Sequence, residues 1–76
     1  MKIEQAIEQF KFGKLDQIEL RRNPSDSQQW FAMVIKVDGK SLMLADENDE
    51  PVVDEDLERL FELLKQIGFG EARIIF

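Results

Sequence analysis

Residues 29–45 read QWFAMVIKVDGKSLMLA. Residues 29–37 are dense in aromatic and β-branched side chains, which suit a pleated, half-buried strand. Asp38-Gly39 is a hairpin signal of the two-residue kind, in which both positions take positive φ. Residues 40–45, KSLMLA, then return as the next strand. A two-residue turn sets Ile35 opposite Leu42, Met33 opposite Leu44, and Val34 opposite Met43. Met33, Ile35, Leu42 and Leu44 would share one face; Trp30, Ala32, Val34, Met43 and Ala45 would share the other. A slip of one residue exchanges the two faces, so this turn carries the architecture.

Working outward, residues 15–22 alternate, with Ile18 and Leu20 on one side and Gln17, Glu19 and Arg21 on the other. They read as a half-buried strand. Residues 23–28, NPSDSQ, are a loop by composition. Residues 2–12 repeat Ile3, Ala6, Ile7 and Phe10 at helical spacing, and Gly13 stops the helix. Residues 54–67 form a second amphipathic helix through Leu57, Leu60, Phe61, Leu64 and Ile67, which ends at Gly68. Residues 71–76, EARIIF, are a last strand.

The order α-β-β-β-α-β predicts a single α+β domain over residues 1–76. It is a four-stranded mixed sheet of order 4-1-2-3, the helical crossover making strand four parallel to strands one and three; the alternative places strand four beside strand three. Both amphipathic helices need the same sheet face. The expected core is Ile3, Ile7, Phe10, Ile18, Leu20, Phe31, Met33, Ile35, Leu42, Leu44, Leu57, Leu60, Phe61, Leu64, Ile67, Ile74 and Phe76.

On this reading Trp30, Ala32, Val34, Met43 and Ile75 lie on the uncovered face, with Arg21 on the rim. Exposed apolar patches of this kind mark interfaces, and Trp, Met and Arg are enriched at interface centres. The expected role is a non-enzymatic interaction module, homodimeric or bound to a protein partner through this face. Arg21 opposite Trp30 offers a cation–π stack. The structural alternative is that a helix crosses to that face and makes Trp30 ordinary core.

A second candidate surface lies in residues 46–58, where eight carboxylates occur. A calcium loop starting at Asp46 fails, because Pro51 stands where a sharp turn needs Gly and Leu57 where a bidentate Glu is needed. Helix physics absorbs part of the run: Asp54 as N-cap, with Glu55, Asp56 and Glu58 favoured by the helix dipole. Asp46, Glu47, Asp49 and Glu50 remain as turn and solubility residues, or as an acidic surface that mimics nucleic acid and binds a basic protein.

Composition narrows the classes. The chain has 76 residues and a net charge of −6, with no Cys, His or Tyr, so the commonest catalytic base, thiolate chemistry and disulfides are all excluded. No Gly-rich phosphate loop leads into a helix, and no cofactor, metal or small-molecule substrate is expected. Residues 1–41 carry seven basic and six acidic side chains, and residues 42–76 carry three and ten. That balance argues against nucleic-acid binding as the main role. A weak single-stranded site would need Lys14, Arg21, Arg22, Lys36 and Lys40 around a Trp30 stacking platform. No apolar run spans a membrane, and MKIEQAIEQF lacks the form of a signal peptide, so a cytoplasmic location is expected.

The stretches RRNPSDSQQWFAMV, KSLMLADENDEPV and DLERLFELLKQIGF resemble small proteins encoded on bacterial conjugative plasmids and integrative elements, some labelled plasmid-related or plasmid-replication proteins. The matching residues are structural: a Trp-led strand, an acidic turn with Pro, and a Leu-rich helix ending in Ile-Gly-Phe. The resemblance implies a bacterial accessory protein of a mobile element and carries over no functional residue.

Overall fold

Alternation along one long central strand organises the molecule. The computed structural model describes residues 1–76. Its elements are α1 (Ile3–Lys11), β1 (Leu15–Asn23), β2 (Asp26–Lys36), β3 (Ser41–Met43), β4 (Val53–Asp54), α2 (Leu57–Ile67) and β5 (Arg73–Ile75). Along β2 the buried residues are Trp30, Ala32 and Val34, while Phe31, Met33 and Ile35 are half-buried on the opposite face. The pairing Ile18↔Val34, Leu20↔Ala32 and Arg22↔Trp30 puts the β1 core residues on the Trp30 side. Ala6 of α1 and Leu60, Leu64 and Ile67 of α2 join them in one cluster, so both helices cover that face.

The expectation for Trp30, Ala32 and Val34 is therefore corrected: they are core, not open surface. No helix crosses the sheet to bury them; β2 is turned over instead. The cause is the hairpin. Lys36 and Lys40 close a three-residue loop, with Lys36 N–H donating to Lys40 O at 2.8 Å and Gly39 N–H to Lys36 O at 2.9 Å. Only Gly39 takes positive φ, at 91°, and Asp38 does not. This is a turn followed by a left-handed Gly, the three-residue form of the hairpin. It shifts the register by one, giving Val34↔Leu42, Met33↔Met43 and Ile35↔Ser41. Leu42, expected in the core, lies opposite Val34 on the helix side but is exposed on the edge strand β3, while Leu44 beyond the strand is fully buried.

The sheet has five strands where four in the order 4-1-2-3 were expected: they run β3-β2-β1-β5, with the C-terminal strand beside β1 and an added strand, β4, also on β2. The extra strand has a local origin. After β3 the chain leaves β2 in a loop closed by an Ala45↔Pro51 bridge. It returns to the same edge as Val53↔Phe31 and Asp54↔Trp30. The C-terminal strand β5 runs parallel to β1 through Glu19↔Arg73, Leu20↔Ile74 and Arg21↔Ile75. Residues before α1 cover the outer edge past β3, where Ala45 N–H donates to Met1 O at 2.8 Å and Ile3 N–H to Ala45 O at 3.0 Å. A covered edge offers no row of free backbone groups to another strand.

Helix α2 starts later than residue 54. Asp54 is still paired with β2, and its carboxylate accepts from Asp56 N–H at 2.9 Å. Asp56 is the N-cap, accepting from Glu58 N–H at 2.9 Å. Arg59 Nε lies 3.5 Å from both carboxylates. At the other end Gly68 has φ 129°, and a Cβ there would meet Phe10 Cδ1 at 2.6 Å. Gly68 thus permits the two helices to close on each other. Phe69, absent from the expected core, is buried next to it, edge-on to Phe10 with ring centroids 5.0 Å apart. Phe76, expected inside, is 89% exposed. It reaches past the last strand pairing to lie edge-on to Trp30, with centroids 5.9 Å apart.

Candidate protein-docking face

The side of the sheet away from the helices is built in rows by the strand register. One row runs Arg73–Glu19–Met33–Met43 and the next Ile75–Arg21–Phe31–Val53. A third holds Gln17, Ile35 and Ser41. Directly paired residues share a face, so these side chains form one surface. Phe31, Met33 and Ile35 take no part in the buried cluster or in the layer packed against it. Met43, Val53 and Ile75 are each more than a third exposed. Of the residues expected at the interface, Met43, Ile75 and Arg21 lie here. Trp30, Ala32 and Val34 do not, and Phe31, Met33, Ile35 and Val53 take their place.

The face is divided chemically. Its β1–β5 side carries a charge cluster: Glu19, with a side chain only 8% exposed, lies between Arg21 and Arg73. Arg21 Nε donates to Glu19 Oε1 at 3.1 Å, and Arg73 stands 3.9 Å from Oε2. A carboxylate this covered needs such partners, since an unpaired buried charge is strongly destabilising. The β3–β4 side is apolar and contains a groove of about 390 Å³ among Phe31, Met43 and Val53, bordered by Pro24, Pro51 and Glu50. Its apolar walls and scarce polar groups suit a docked side chain.

The acidic run resolves into separate jobs. Asp46 folds the loop: its carboxylate accepts from Asn48 N–H at 2.9 Å and Glu50 N–H at 3.1 Å. Asp49 takes the left-handed conformation, φ 64°, that Asp tolerates better than most residues. Asp54 and Asp56 bind backbone ahead of α2. Glu47, Asp49 and Glu50 are left exposed in solvent on a well-formed loop. No three carboxylates converge as a metal-ligand set.

The basic residues also separate. Arg22, not Arg21, stacks on Trp30, with its guanidinium carbon 4.5 Å from the ring centroid. With Phe76 on its edge and only 5% of its surface exposed, Trp30 has no face free for a base. Lys14, Lys36 and Lys40 gather at the far hairpin, where Val37 N–H donates to Lys14 O at 3.0 Å. The rise from Trp30 to Lys36 is ~20 Å along the strand. The basic residues therefore frame no Trp-centred single-strand site.

The fold and this surface define a small α+β domain with a two-helix layer on one side of a mixed sheet and an unpartnered apolar face on the other. No family model, curated protein or solved structure matches the chain. No helix is long and apolar enough to cross a membrane.

Proposed function

We propose that this chain is a non-enzymatic docking module that binds a protein through the open face of its sheet. The observation that supports it is the alternation of β2, which leaves Phe31, Met33 and Ile35 outside the core in the middle of the sheet. A central strand is where burial is most expected, and apolar surface left there gains free energy when a partner removes it from water, at roughly 25 cal/mol per Å². A chain with no His, Cys or Tyr has few groups for catalysis, which favours binding over chemistry. The resemblance to plasmid and integrative-element proteins adds a setting: an accessory protein of a mobile element, acting in the bacterial cytoplasm. Its gene is then expected beside conjugation or replication genes.

The test is a photo-crosslinking amino acid placed at Met33 in the native host. It should give a discrete protein adduct, and the same group at Gln66 on α2 should give none. Failure at both positions would remove the docking role. Loss of the captured partner on neutralising Glu47, Asp49 and Glu50, with no loss on Phe31→Asp, would move the role to the acidic loop.

A further inference from the structure

We infer that the open face docks on a second copy of this chain, about a two-fold axis parallel to the strands that sets the arginine edge of one sheet over the acidic rim of the other. This rests on the docking reading above and names its partner. The argument begins with how charge is laid out across the face. Arg73 and Arg21, with side chains 66% and 42% exposed, stand on the β5–β1 side. Glu19 between them is covered and offsets only one of the two. Met33 and Phe31 occupy the middle. Glu50 borders the groove on the β3–β4 side, on the loop that also carries Glu47 and Asp49.

An isologous pair must place one patch against itself. An axis in the interface and parallel to the strands reverses the strand order, so β5 of one copy lies over β3 and β4 of the other. The apolar centres meet, and each Arg edge meets a Glu50 rim. This axis keeps the strands of the two sheets aligned, as stacked sheets prefer, and so does the one perpendicular to it. An axis in the interface but perpendicular to the strands would set β5 over β5, bringing Arg73 near Arg73 and Glu50 near Glu50. Like charges across an interface are costly, so the layout selects the first axis.

A second copy is the occupant that already carries the required complement: acid opposite the arginines, arginine opposite the acid, and apolar groups between. The size also fits. A stable interface takes roughly 800 Å² from each partner. One face of a body with extents of 33 × 25 × 22 Å is of that order. The small core points the same way, because a domain of 76 residues without cysteine, burying 14 of them, is of the kind that association commonly supplements.

The experiment is sedimentation equilibrium on the full chain, with Arg73→Glu, Glu50→Arg and the two combined. The wild type should sediment at twice 8.9 kDa. Each single reversal should weaken association about tenfold, and the double variant should recover it, because both cross-copy contacts are then reversed together. Recovery in the double variant separates a lost contact from a damaged fold. Single reversals that leave association unchanged would overturn the axis, because the perpendicular axis merely exchanges one like-charge pair for another, and a wild-type mass of 8.9 kDa at millimolar concentration would overturn self-docking. In that last case an adduct from position 33 to a different protein leaves the docking reading standing, whereas no adduct removes both.

Discussion

The two faces of β2 are nearly equal in hydrophobicity and differ in fate. Trp30, Ala32 and Val34 are sealed under two helices, while Phe31, Met33 and Ile35 look outward from the same strand. The inner set includes a small residue at its centre. Ala32 and Ala6 are both fully buried, and small side chains let a helix layer approach a sheet closely. The outer set is larger and more uniform, and it is bordered by charge. Burial on one side supports the fold, and apolar surface on the other remains available for a partner.

The largest expected effect separates the faces by stability. Leu20→Ala, at a fully buried site under the helices, should cost about 2–5 kcal/mol through lost burial and the cavity left behind. Met33→Ala should cost under ~1 kcal/mol in the monomer, as a surface change does. Urea unfolding of both variants, at concentrations low enough to dissociate any dimer, measures the contrast. Equal losses would mean that the faces are assigned wrongly.

Next in size is Gly68→Ala, which sharpens the account of the covered side. The new methyl meets the Phe10 ring from a backbone at φ 129°, so one of the helices must shift. A loss of about 1–3 kcal/mol is expected. For a domain of this size each kcal/mol lowers the melting midpoint by roughly 4–8 °C. A midpoint unchanged in a calorimetric scan would contradict the close approach of α1 and α2.

A smaller effect distinguishes the two Asp residues ahead of α2. Asp56→Ala removes the N-cap and should cost about 1 kcal/mol. Asp54→Ala removes a turn bond and one contact to the exposed Arg59, and should cost less. Chemical denaturation of the pair would reverse that order if the helix began at residue 54.

The smallest effect lies at the hairpin that decides the faces. The Lys40 backbone N–H donates to the Asp38 carboxylate, and with Lys36 and Lys40 nearby it holds Asp38 below its ordinary 3.8. A folded-state value below the unfolded one adds stability above the unfolded value, and that stability is lost as pH falls through the folded value. The carboxyl carbon signal of Asp38 should therefore titrate below 3.8, and in a peptide of residues 36–40 it should return to it. Equal midpoints in protein and peptide would show that the turn does not hold this geometry.

Much of the architecture is legible in the chain. The stripe Leu60, Leu64 and Ile67 locates the buried side of α2, and Ile18 and Leu20 locate that of β1. Gly13 and Gly68 end their helices, both at positive φ. The sense of β2 is not legible, because both of its faces are apolar and a period of two has no sign when neither set is polar. The missing information sits in Val37-Asp38-Gly39, which fits a two-residue turn or a three-residue loop with Gly last. That single residue of loop length exchanges Met33 for Trp30 on the open face. β4 is hidden for another reason: Val53 and Asp54 join β2 only because Asp46 folds the acidic loop and returns the chain to the same edge. The Glu19 clamp on the candidate face needs Arg73 from a strand over fifty residues away, which local spacing does not reveal.

The sole tryptophan offers the most direct test of the central claim, that β2 turns Trp30 toward the helices. Fluorescence of the native chain, quenched with acrylamide at a concentration where it is monomeric, should show a blue-shifted emission and slow quenching that rises sharply on unfolding in urea. Emission at the wavelength of free indole, with quenching in the native monomer as fast as in urea, would place Trp30 on the open face and contradict the account.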